Sequence, residues 1–459
     1  MVYRSPWIVQ LKRSRPIQKI SSPFHPDCVV VGGGIAGVVT AYYILQQTSS
    51  IILLLEADRV AHGATGHNAG QIVSYFERPL HDIANHYGVA LAQDAYESLQ
   101  ETWDVLEELT TNAHLRTPVT TFTGYAGFTS FAQVLNQLKT LHFLSVSKRK
   151  LEPLLLAKES GLLSKIPSGY HPYVKLTTQK DISMLLGTKD ASYIAAFPEK
   201  KGCTNSSLLT EELVGYLLST YPERFFLSER TPVKQIRLTP TEIIITTTEQ
   251  LITTPTIVLC TNGYTTYEID ASPTGPAPLK PHITSTVGYM NGYLDTTLKP
   301  AIATQYFTSQ TNSPTDPYYY VTYRLYEHGR HSHTLVCVGG PEHQLTAHQS
   351  YRASAHYLPT AHQELDSFLR TTNHYPPTKT TPEFKWHGLM GYTTSMIRLI
   401  GPDPAYPHLY YNLGCNGVGI LPSIFAGKRI GRYLAADHLT PSIFDTKFIN
   451  TTDFSTKNR

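Results

Sequence analysis

Three glycines near the start of the chain have the spacing of a turn that binds a diphosphate. Gly32, Gly34 and Gly37 follow an apolar run at residues 28–31 in the order Gly-x-Gly-x-x-Gly. The first glycine permits a tight turn, the second lets the backbone approach a diphosphate, and the third lets the following helix pack closely on the sheet. The pattern therefore predicts a strand, a glycine turn and a helix that together hold a dinucleotide.

A second apolar run, at residues 51–55, ends on Glu56 and Ala57. Glu56 lies nineteen residues beyond Gly37, a spacing at which an acid accepts hydrogen bonds from a ribose 2′-hydroxyl and repels a 2′-phosphate. The backbone N–H groups at the start of the intervening helix, around Ile35 and Ala36, favour negatively charged phosphates. The two strands, the helix and the acid supply the context that this motif needs. They do not distinguish FAD from NAD.

Composition limits the class of protein. The chain has 459 residues, enough for two or three domains, with 41% hydrophobic and 16% charged residues. The net charge of +3 is too small to indicate a nucleic-acid partner. No apolar run reaches the length of a transmembrane segment.

Residues 1–24 form a basic N-terminal arm, which we expect to pack on its own domain, although it could touch anionic lipid. We expect a cytoplasmic protein, possibly peripheral at the membrane.

The cysteines and histidines do not form a metal site by spacing. The five cysteines are odd in number and never spaced Cys-x-x-Cys, which argues against a disulfide framework and against zinc or iron–sulfur ligation. His331 and His333 could suggest a metal, but no paired carboxylate accompanies them at helical spacing. We therefore predict no metal. A Gly-x-Ser-x-Gly elbow is also absent from the sequence, which argues against a hydrolase.

Apolar periodicity predicts the main elements. We expect a long helix over 79–112, a strand over 124–129, a helix ending near Leu141, a helix over 208–221, three strands over 225–237, 242–245 and 256–260, a helix over 360–371, a strand over 409–411 and a helix after Gly419.

Five segments, in this order, resemble the FAD-dependent oxidoreductases of the D-amino-acid oxidase superfamily, which includes glycine oxidase, sarcosine oxidase and γ-glutamylputrescine oxidase. They are VVVGGGIAG with LLLEA, AHGATGHNAGQ at 61–71, TIVLCTNGY at 256–264, VCVGGPEH at 336–343 and NLGCNGVGI at 412–420. The resemblance implies an α/β fold with a discontinuous Rossmann-like FAD-binding domain and an antiparallel-sheet α+β substrate domain. The implied FAD-binding domain comprises 25–79, 199–265 and 381–459, and the substrate domain comprises 80–198 and 266–380.

The resemblance also implies which residues surround FAD. The glycine turn and Glu56 hold the ADP portion, the loop from Ala64 runs past the flavin ring, and the C-terminal glycine loop places N–H groups at the pyrimidine edge. There they favour the negative charge that grows near N1 on reduction. The implied cofactor residues are Gly32, Gly34, Ile35, Ala36, Gly37, Glu56, Ala57, Ala64, Thr65, His67, Asn68, Gly70, Val233, Thr261, Asn262, Gly263, Gly414, Asn416, Gly417 and Gly419.

The chain departs from the family pattern at two positions. Sarcosine-oxidase-like members carry a lysine, associated with oxygen activation, where this chain has Leu421. The electron acceptor is therefore open between oxygen, a quinone and a carrier protein. Many relatives have arginine where His67 stands; His67 is either a loop residue beside the ring, which we favour, or an attachment point for covalent flavin. For Cys415 we favour a small apolar filler over a thioether link.

A substrate carboxylate calls for an arginine, because the guanidinium pairs with it bidentately. Arg324 and Arg398 are the candidates, and strand alternation places Tyr318, Tyr320 and Arg324 on one face. We predict Arg324, Arg398 and Tyr320 as catalytic-site residues.

The resemblance implies oxidation of a carbon–nitrogen bond in a small-molecule amine or amino acid, by hydride transfer to flavin N5, giving an imine that hydrolyses. Two alternatives stay open: a non-catalytic flavin- or dinucleotide-binding module, and an NAD-dependent dehydrogenase.

Overall fold

The computed structural model describes residues 4–11, 13, 15–20, 24–145, 150–239, 241–271, 276–279, 282–309, 318–346, 349–373, 376–377 and 381–451. Its helices are α1 (Pro6–Val9), α2 (Ile35–Gln47), α3 (Leu80–Tyr87), α4 (Val89–Asn112), α5 (Phe131–Leu144), α6 (Gln179–Leu186), α7 (Ser206–Thr220), α8 (Ala361–Thr372) and α9 (Ile420–Leu434). Its strands are β1 (Cys28–Val31), β2 (Ile52–Leu55), β3 (Gln71–Ile72), β4 (Thr120–Phe128), β5 (Leu154–Ala157), β6 (Val174–Thr177), β7 (Ala195–Cys203), β8 (Phe225–Ser228), β9 (Val233–Leu238), β10 (Ile243–Thr247), β11 (Leu251–Thr254), β12 (Thr256–Leu259), β13 (Glu268–Ala271), β14 (Ile283–Asp295), β15 (Ile302–Tyr306), β16 (Tyr319–His328), β17 (His331–Gln344), β18 (Phe384–Thr393), β19 (Leu399–Pro402) and β20 (Leu409–Leu413).

A six-stranded sheet contains the glycine turn, with the order β19-β20-β12-β1-β2-β8. Five of its strands run parallel, and β19 pairs antiparallel with β20. The strands β1 and β2 are buried along their whole length because both faces of the sheet are covered. Val30 and Leu54 join the core formed with α2 and α9, whereas Val29 and Leu53 pack against the small sheet β11-β10-β9-β13. This is the Rossmann-like half of the fold, assembled from strands that are far apart in sequence.

A larger sheet forms the other half, with the order β18-β14-β17-β16-β15-β4-β7-β5-β6 and β3 paired to β7. Its pairs are antiparallel except β15 with β4 and β5 with β6. Helix α8 packs on it through Leu365 and Leu369. The mixed α/β class with a separate, mainly antiparallel sheet is therefore confirmed.

The structure corrects several predicted boundaries. The helix predicted over 79–112 is two helices, because Gly88 adopts φ +92° between α3 and α4. The strand predicted over 225–237 is divided at Arg230, which has φ +51°, and its two halves join different sheets. Strands β3 and β18 and the end of β7 belong to the larger sheet, although the predicted division placed them with the FAD-binding segments. Residues 452–459 of the last predicted segment lie outside the described residues.

The basic arm packs on the six-stranded half of the protein. Arg15 donates to Glu211 and, at 2.7 Å, to Glu229, whose side chain is fully buried. Trp7 in α1 donates from its indole nitrogen to the Asn68 carbonyl oxygen at 2.6 Å. The arm therefore braces the loop that follows β2. Within the described part of the chain, no helix is both long enough and apolar enough to cross a membrane.

Candidate active site

One cavity of about 1260 Å³ lies between the carboxyl ends of β1, β2 and β12 and the inner face of the larger sheet. Its volume exceeds the roughly 300–1,000 Å³ of an ordinary small-molecule pocket. The cavity has room for an extended cofactor with a substrate beside it. Most predicted cofactor residues line it: Gly32, Gly34, Ile35, Ala36, Glu56, Ala57, Ala64, Thr65, His67, Asn68, Val233, Thr261, Asn262, Gly417 and Gly419.

The glycine turn differs from the prediction in one respect. The Ile35 N–H at the start of α2 already donates to the Thr65 hydroxyl at 2.9 Å, so it is not free for a phosphate. Thr65 lines the cavity, and its hydroxyl keeps a proton of its own to donate. Gly37 lies outside the cavity lining, and a Cβ on it would collide with the Gly32 carbonyl oxygen. Its function is therefore to let α2 pack against the turn.

Glu56 occupies the cavity edge at the end of β2. One carboxylate oxygen accepts the Gly33 N–H at 2.6 Å, and the other accepts the Asp58 N–H at 2.8 Å. Burial raises the pKa of Glu56, and these two backbone donors oppose that rise. Each carboxylate oxygen keeps a lone pair for a ribose hydroxyl.

The loop from Ala64 to Gly70 forms one wall. His67 hydrogen-bonds through Nδ1 with the Gly63 carbonyl oxygen at 3.0 Å, and burial lowers the pKa of its imidazole. His67 is therefore neutral at pH 7. The Asn68 side chain is bonded to Ser206 at 2.9 Å and accepts the Gly70 N–H at 2.7 Å. Gly70 itself lies behind the cavity wall.

The C-terminal glycine loop reaches the same cavity. Gly417 and Gly419 line it, whereas Gly263, Gly414 and Asn416 do not. The Asn416 side-chain oxygen accepts the Thr393 N–H at 2.8 Å and so ties the loop to the end of β18. Asn416 supports the cavity from behind.

Arg324 is not a cavity residue, so its predicted role in binding a substrate carboxylate is corrected. The residue is 4% exposed, and its guanidinium donates to the carbonyl oxygens of Thr204 and Ala69 at 2.7 and 3.0 Å and lies over the Trp7 ring at 4.5 Å. The strand alternation was predicted correctly. However, Arg324 lies four residues beyond Tyr320, roughly 13 Å along the strand, and there it braces the 69–70 loop.

Arg398, the other predicted arginine, lines the cavity at the six-stranded sheet. Its Nε donates to the Asn412 side-chain oxygen at 2.7 Å. Its Nη1 is buried, and no residue in the described part of the chain accepts from it. Burial lowers the pKa of the guanidinium to about 10, so Arg398 is cationic at pH 7. No carboxylate of the described residues pairs with this cavity-lining guanidinium, which therefore favours a negatively charged group in the cavity.

The third predicted catalytic-site residue, Tyr320, lines the cavity and donates to the Met290 sulfur at 3.0 Å. It belongs to a group of cavity-lining carboxylates and tyrosines, of which the two acids were not predicted as site residues. We call it the carboxylate–tyrosine cluster: Tyr75, Glu77, Tyr318, Tyr320, Glu342 and Tyr392. The signal in the sequence was an alternation after β3, where Val73, Tyr75 and Glu77 all line the cavity.

The pKa values of the two acids of this cluster, Glu77 and Glu342, are raised. Burial, with the nearby charge of Glu342, raises the pKa of Glu77 to about 8, although a hydrogen bond from Tyr318 at 2.9 Å opposes the rise. Burial raises the pKa of Glu342 to about 7, against hydrogen bonds from Tyr392 at 3.2 and 3.3 Å. Groups with such displaced pKa values are typical of functional sites.

Comparison with known proteins identifies the family. The profile of the family described as FAD dependent oxidoreductase matches residues 27–173 and 226–433. The chain belongs to this family. It is therefore an FAD-dependent oxidoreductase, and the predicted cofactor and enzyme class are confirmed.

Relatives of known structure share the fold at low identity. Glycine oxidase from Geobacillus kaustophilus is 16% identical with a TM-score of 0.62, and the match covers 92% of this chain and 98% of that one. NikD, described as an unusual amino acid oxidase essential for nikkomycin biosynthesis, is 16% identical with a TM-score of 0.65, covering 92% and 96%. A gamma-glutamylputrescine oxidoreductase from Escherichia coli (strain K12) is 29% identical over 93 residues, which are 20% of this chain and 22% of that protein. The chain thus matches about a fifth of the length of that curated relative.

The residues present fit FAD. The cavity runs without interruption from the glycine turn to the C-terminal glycine loop, and Arg398 is one of the residues that line it. A dinucleotide held only at its adenosine end would leave the 417–419 backbone and Arg398 unused.

Proposed function

We propose that this oxidoreductase oxidises a carbon–nitrogen bond in an amine or an amino acid, giving an imine that water hydrolyses. The extent of the cavity supports the proposal. The cavity that the glycine turn lines continues past Gly417 to the carboxylate–tyrosine cluster. A small polar molecule bound in that cluster would lie beside whatever occupies the C-terminal glycine loop.

The cofactor would be held at both ends. We assign Glu56 and Thr65 to its adenosine and diphosphate end, and the backbone of Gly417 and Gly419 to its ring. We assign the Arg398 guanidinium to the same cofactor, as a cation beside an anionic part of it. When bound, FAD accepts a hydride from the carbon next to the substrate nitrogen.

The protein positions the substrate and excludes water. Val418 and Ile420 are buried beside the glycine loop, and Met290 and Met390 line the opposite side of the cavity. Such an apolar setting strengthens polar contacts with the substrate. No strong acid or base needs to act on the carbon, because the carbon loses hydride rather than a proton. The nitrogen must be neutral, so a group that accepts its proton is required.

The test is anaerobic reduction of the purified holoenzyme. A screen of D-amino acids, glycine, N-methyl amino acids and polyamines should identify a compound that bleaches the visible flavin band. If none of them bleaches the flavin, the proposal is wrong. Bleaching by a nicotinamide nucleotide instead would favour a different redox partner. Reoxidation of the reduced enzyme by oxygen, by a quinone or only by a carrier protein would identify the electron acceptor.

A further inference from the structure

The part of the cavity formed by the larger sheet has no cation for a substrate carboxylate. Among the described lining residues, Arg398 is the one lysine or arginine, and it is fixed at the six-stranded sheet by Asn412. Lys201 lies behind the lining, where it donates to Gln305 at 2.6 Å and pairs with Glu199 at 3.3 Å. A substrate carboxylate bound beside the larger sheet would lose its water without gaining a cation, and it would lie near the acids Glu77 and Glu342.

The same part of the cavity has two carboxylates that lack a cation. Neither Glu77 nor Glu342 forms a salt bridge with any residue that the structure describes. Glu77 accepts a hydroxyl from Tyr318, and Glu342 accepts one from Tyr392. A hydroxyl satisfies one lone pair but does not neutralise a charge, so without a cation both acids hold their protons up to near-neutral pH. A cationic ligand would favour their ionised forms and pair with them.

The cluster also has the aromatic walls that suit a cation. Tyrosine faces attract ammonium groups through the ring quadrupole, more strongly where water is excluded. A hydrogen-bonded chain fixes two of the rings: Gln305 donates to Tyr75 at 2.8 Å, Tyr75 bonds with Tyr318 at 3.2 Å, and Tyr318 donates to Glu77 at 2.9 Å. The rings and the acid are therefore held in place before a ligand binds.

Glu77 also lies at the glycine loop. Its Oε1 is 3.0 Å from the point that a Cβ on Gly417 would occupy. A cation that pairs with Glu77 would thus lie next to the backbone that we assign to the flavin ring.

We propose that the substrate is a cationic amine without a carboxylate beside the reacting carbon, and that the carboxylate–tyrosine cluster binds its ammonium group. This inference rests on the proposed function and narrows it. Glu77 accepts the ammonium proton: an N–H bond breaks, an O–H bond forms on the carboxylate, and the nitrogen lone pair is released. The nitrogen is then neutral, as removal of hydride from the neighbouring carbon requires.

The test uses two molecules of equal shape and opposite charge with the holoenzyme. The tert-butylammonium ion has no α C–H and cannot be oxidised, and pivalate is its carboxylate analogue. Calorimetry and the perturbation of the flavin spectrum should show binding of tert-butylammonium and at least about 10-fold weaker binding of pivalate. Glu77→Gln and Glu342→Gln should each weaken tert-butylammonium binding by about 10-fold or more. Glu268→Gln, on an exposed strand of the small sheet, should leave it unchanged.

The outcomes separate the two proposals. Equal or tighter binding of pivalate, or unchanged affinity for tert-butylammonium in both cluster variants, would overturn the inference even if amino acids bleach the flavin. Binding of tert-butylammonium in a holoenzyme that no nitrogen compound can reduce would instead overturn the proposed function and leave the cation site standing.

Discussion

Asn262 and Cys415 are joined by a hydrogen bond of 3.0 Å, which the Cys415 backbone N–H donates to the Asn262 side-chain oxygen. Asn262 follows β12, and Cys415 belongs to the C-terminal glycine loop, 153 residues later. The bond fixes that loop at the carboxyl end of the six-stranded sheet. The glycine turn and the C-terminal loop therefore face one cavity, as a single cofactor with contacts at both ends requires.

Gly417 should be intolerant of a side chain. Its φ is +77°, and a Cβ would lie 3.0 Å from the Glu77 carboxylate. Gly417→Ala should cost about 1 kcal/mol of stability from backbone strain, and the displaced loop should also lose flavin. Gly161→Ala is the matched control, because Gly161 has φ +65° with open space around it. The ratio of flavin to protein after gel filtration should fall in the first variant alone. Equal flavin retention in both would show that the loop does not contact the ring.

Thr65 should contribute to FAD affinity through its hydroxyl. Thr65→Ala leaves the Ile35 N–H without its present acceptor and removes a donor from the cavity. A hydrogen bond to a charged group contributes about 1.5–3 kcal/mol, so the Kd for FAD of the deflavinated protein should rise at least about 10-fold. Thr65→Ser keeps the hydroxyl and should restore most of the affinity. A serine variant as weak as the alanine variant would indicate that the methyl group, rather than the hydroxyl, matters.

The two predicted arginines should behave differently when replaced by methionine. Arg324→Met leaves two carbonyl oxygens without donors and should lower the free energy of unfolding by about 2–5 kcal/mol. Arg398→Met removes a buried, incompletely paired charge, so the apoprotein should be no less stable. Its affinity for FAD should fall at least about 10-fold. Thermal unfolding and FAD titration of both apoproteins measure this. Unchanged FAD affinity in Arg398→Met would contradict its assignment to the cofactor.

Binding of tert-butylammonium should depend on pH with a definite sign. The pKa values of Glu77 and Glu342, about 8 and about 7, mean that both acids are ionised above pH 8 and lose charge as the pH falls. Other titratable groups near Glu77 are Glu199, Lys201 and the tyrosines of the cluster. Burial raises the pKa values of Tyr75 and Tyr318. Affinity should therefore decrease by up to about 10-fold per pH unit for each acid below its pKa. Glu77→Gln should remove the step near pH 8, and a profile unchanged in that variant would contradict the assignment.

The arm should stabilise the protein through Arg15. Arg15→Met removes one of the two cations that pair with the fully buried Glu229, while Arg59 stays at 3.3 Å. The loss of its hydrogen bonds to a charged group should cost about 1.5–3 kcal/mol. Lys19→Met is the control, since its pair with Glu249 is largely exposed and should contribute about 1 kcal/mol or less. Denaturant unfolding measures both, and equal effects would be inconsistent with a structural arm.

The same pair should make stability depend on pH. Burial alone would raise the pKa of Glu229, but hydrogen bonds from Arg15 and from backbone N–H groups lower it to about 2. Since the folded-state pKa is depressed, this stabilisation is present above the ordinary value of 4.5 and is lost as the pH falls toward 2. The stability difference between wild type and Arg15→Met should shrink over that range.

The glycine turn could be predicted from sequence because each of its requirements is local. Gly32, Gly34 and Glu56 have spacings fixed by one βαβ unit, and the structure places them together. Arg324 could not be placed in this way. Alternation gives the face of β16 correctly but not how far the cavity extends along the strand, which depends on the packing of Trp7 from the distant arm.

Glu77 and Glu342 were missed for a related reason. Each is an ordinary acid in its own segment, and their proximity arises only when β17 and the segment after β3 meet over the C-terminal loop. Their raised pKa values depend on that shared burial. Sequence spacing shows which face of a strand a residue occupies, but burial and pairing across sheets are properties of the folded chain.

Anaerobic single-turnover reduction of the bound flavin by an amine, compared with the same amine deuterated at the α-carbon, tests whether this enzyme oxidises a carbon–nitrogen bond. If hydride leaves the carbon next to the nitrogen, the visible flavin band should bleach, deuteration should slow the bleaching several-fold, and Glu77→Gln should weaken the apparent affinity for the amine. A holoenzyme that binds FAD but is reduced by no amine or amino acid would contradict the proposed reaction. So would a reduction rate that α-deuteration leaves unchanged, if Glu77→Gln also leaves the affinity for the amine unchanged.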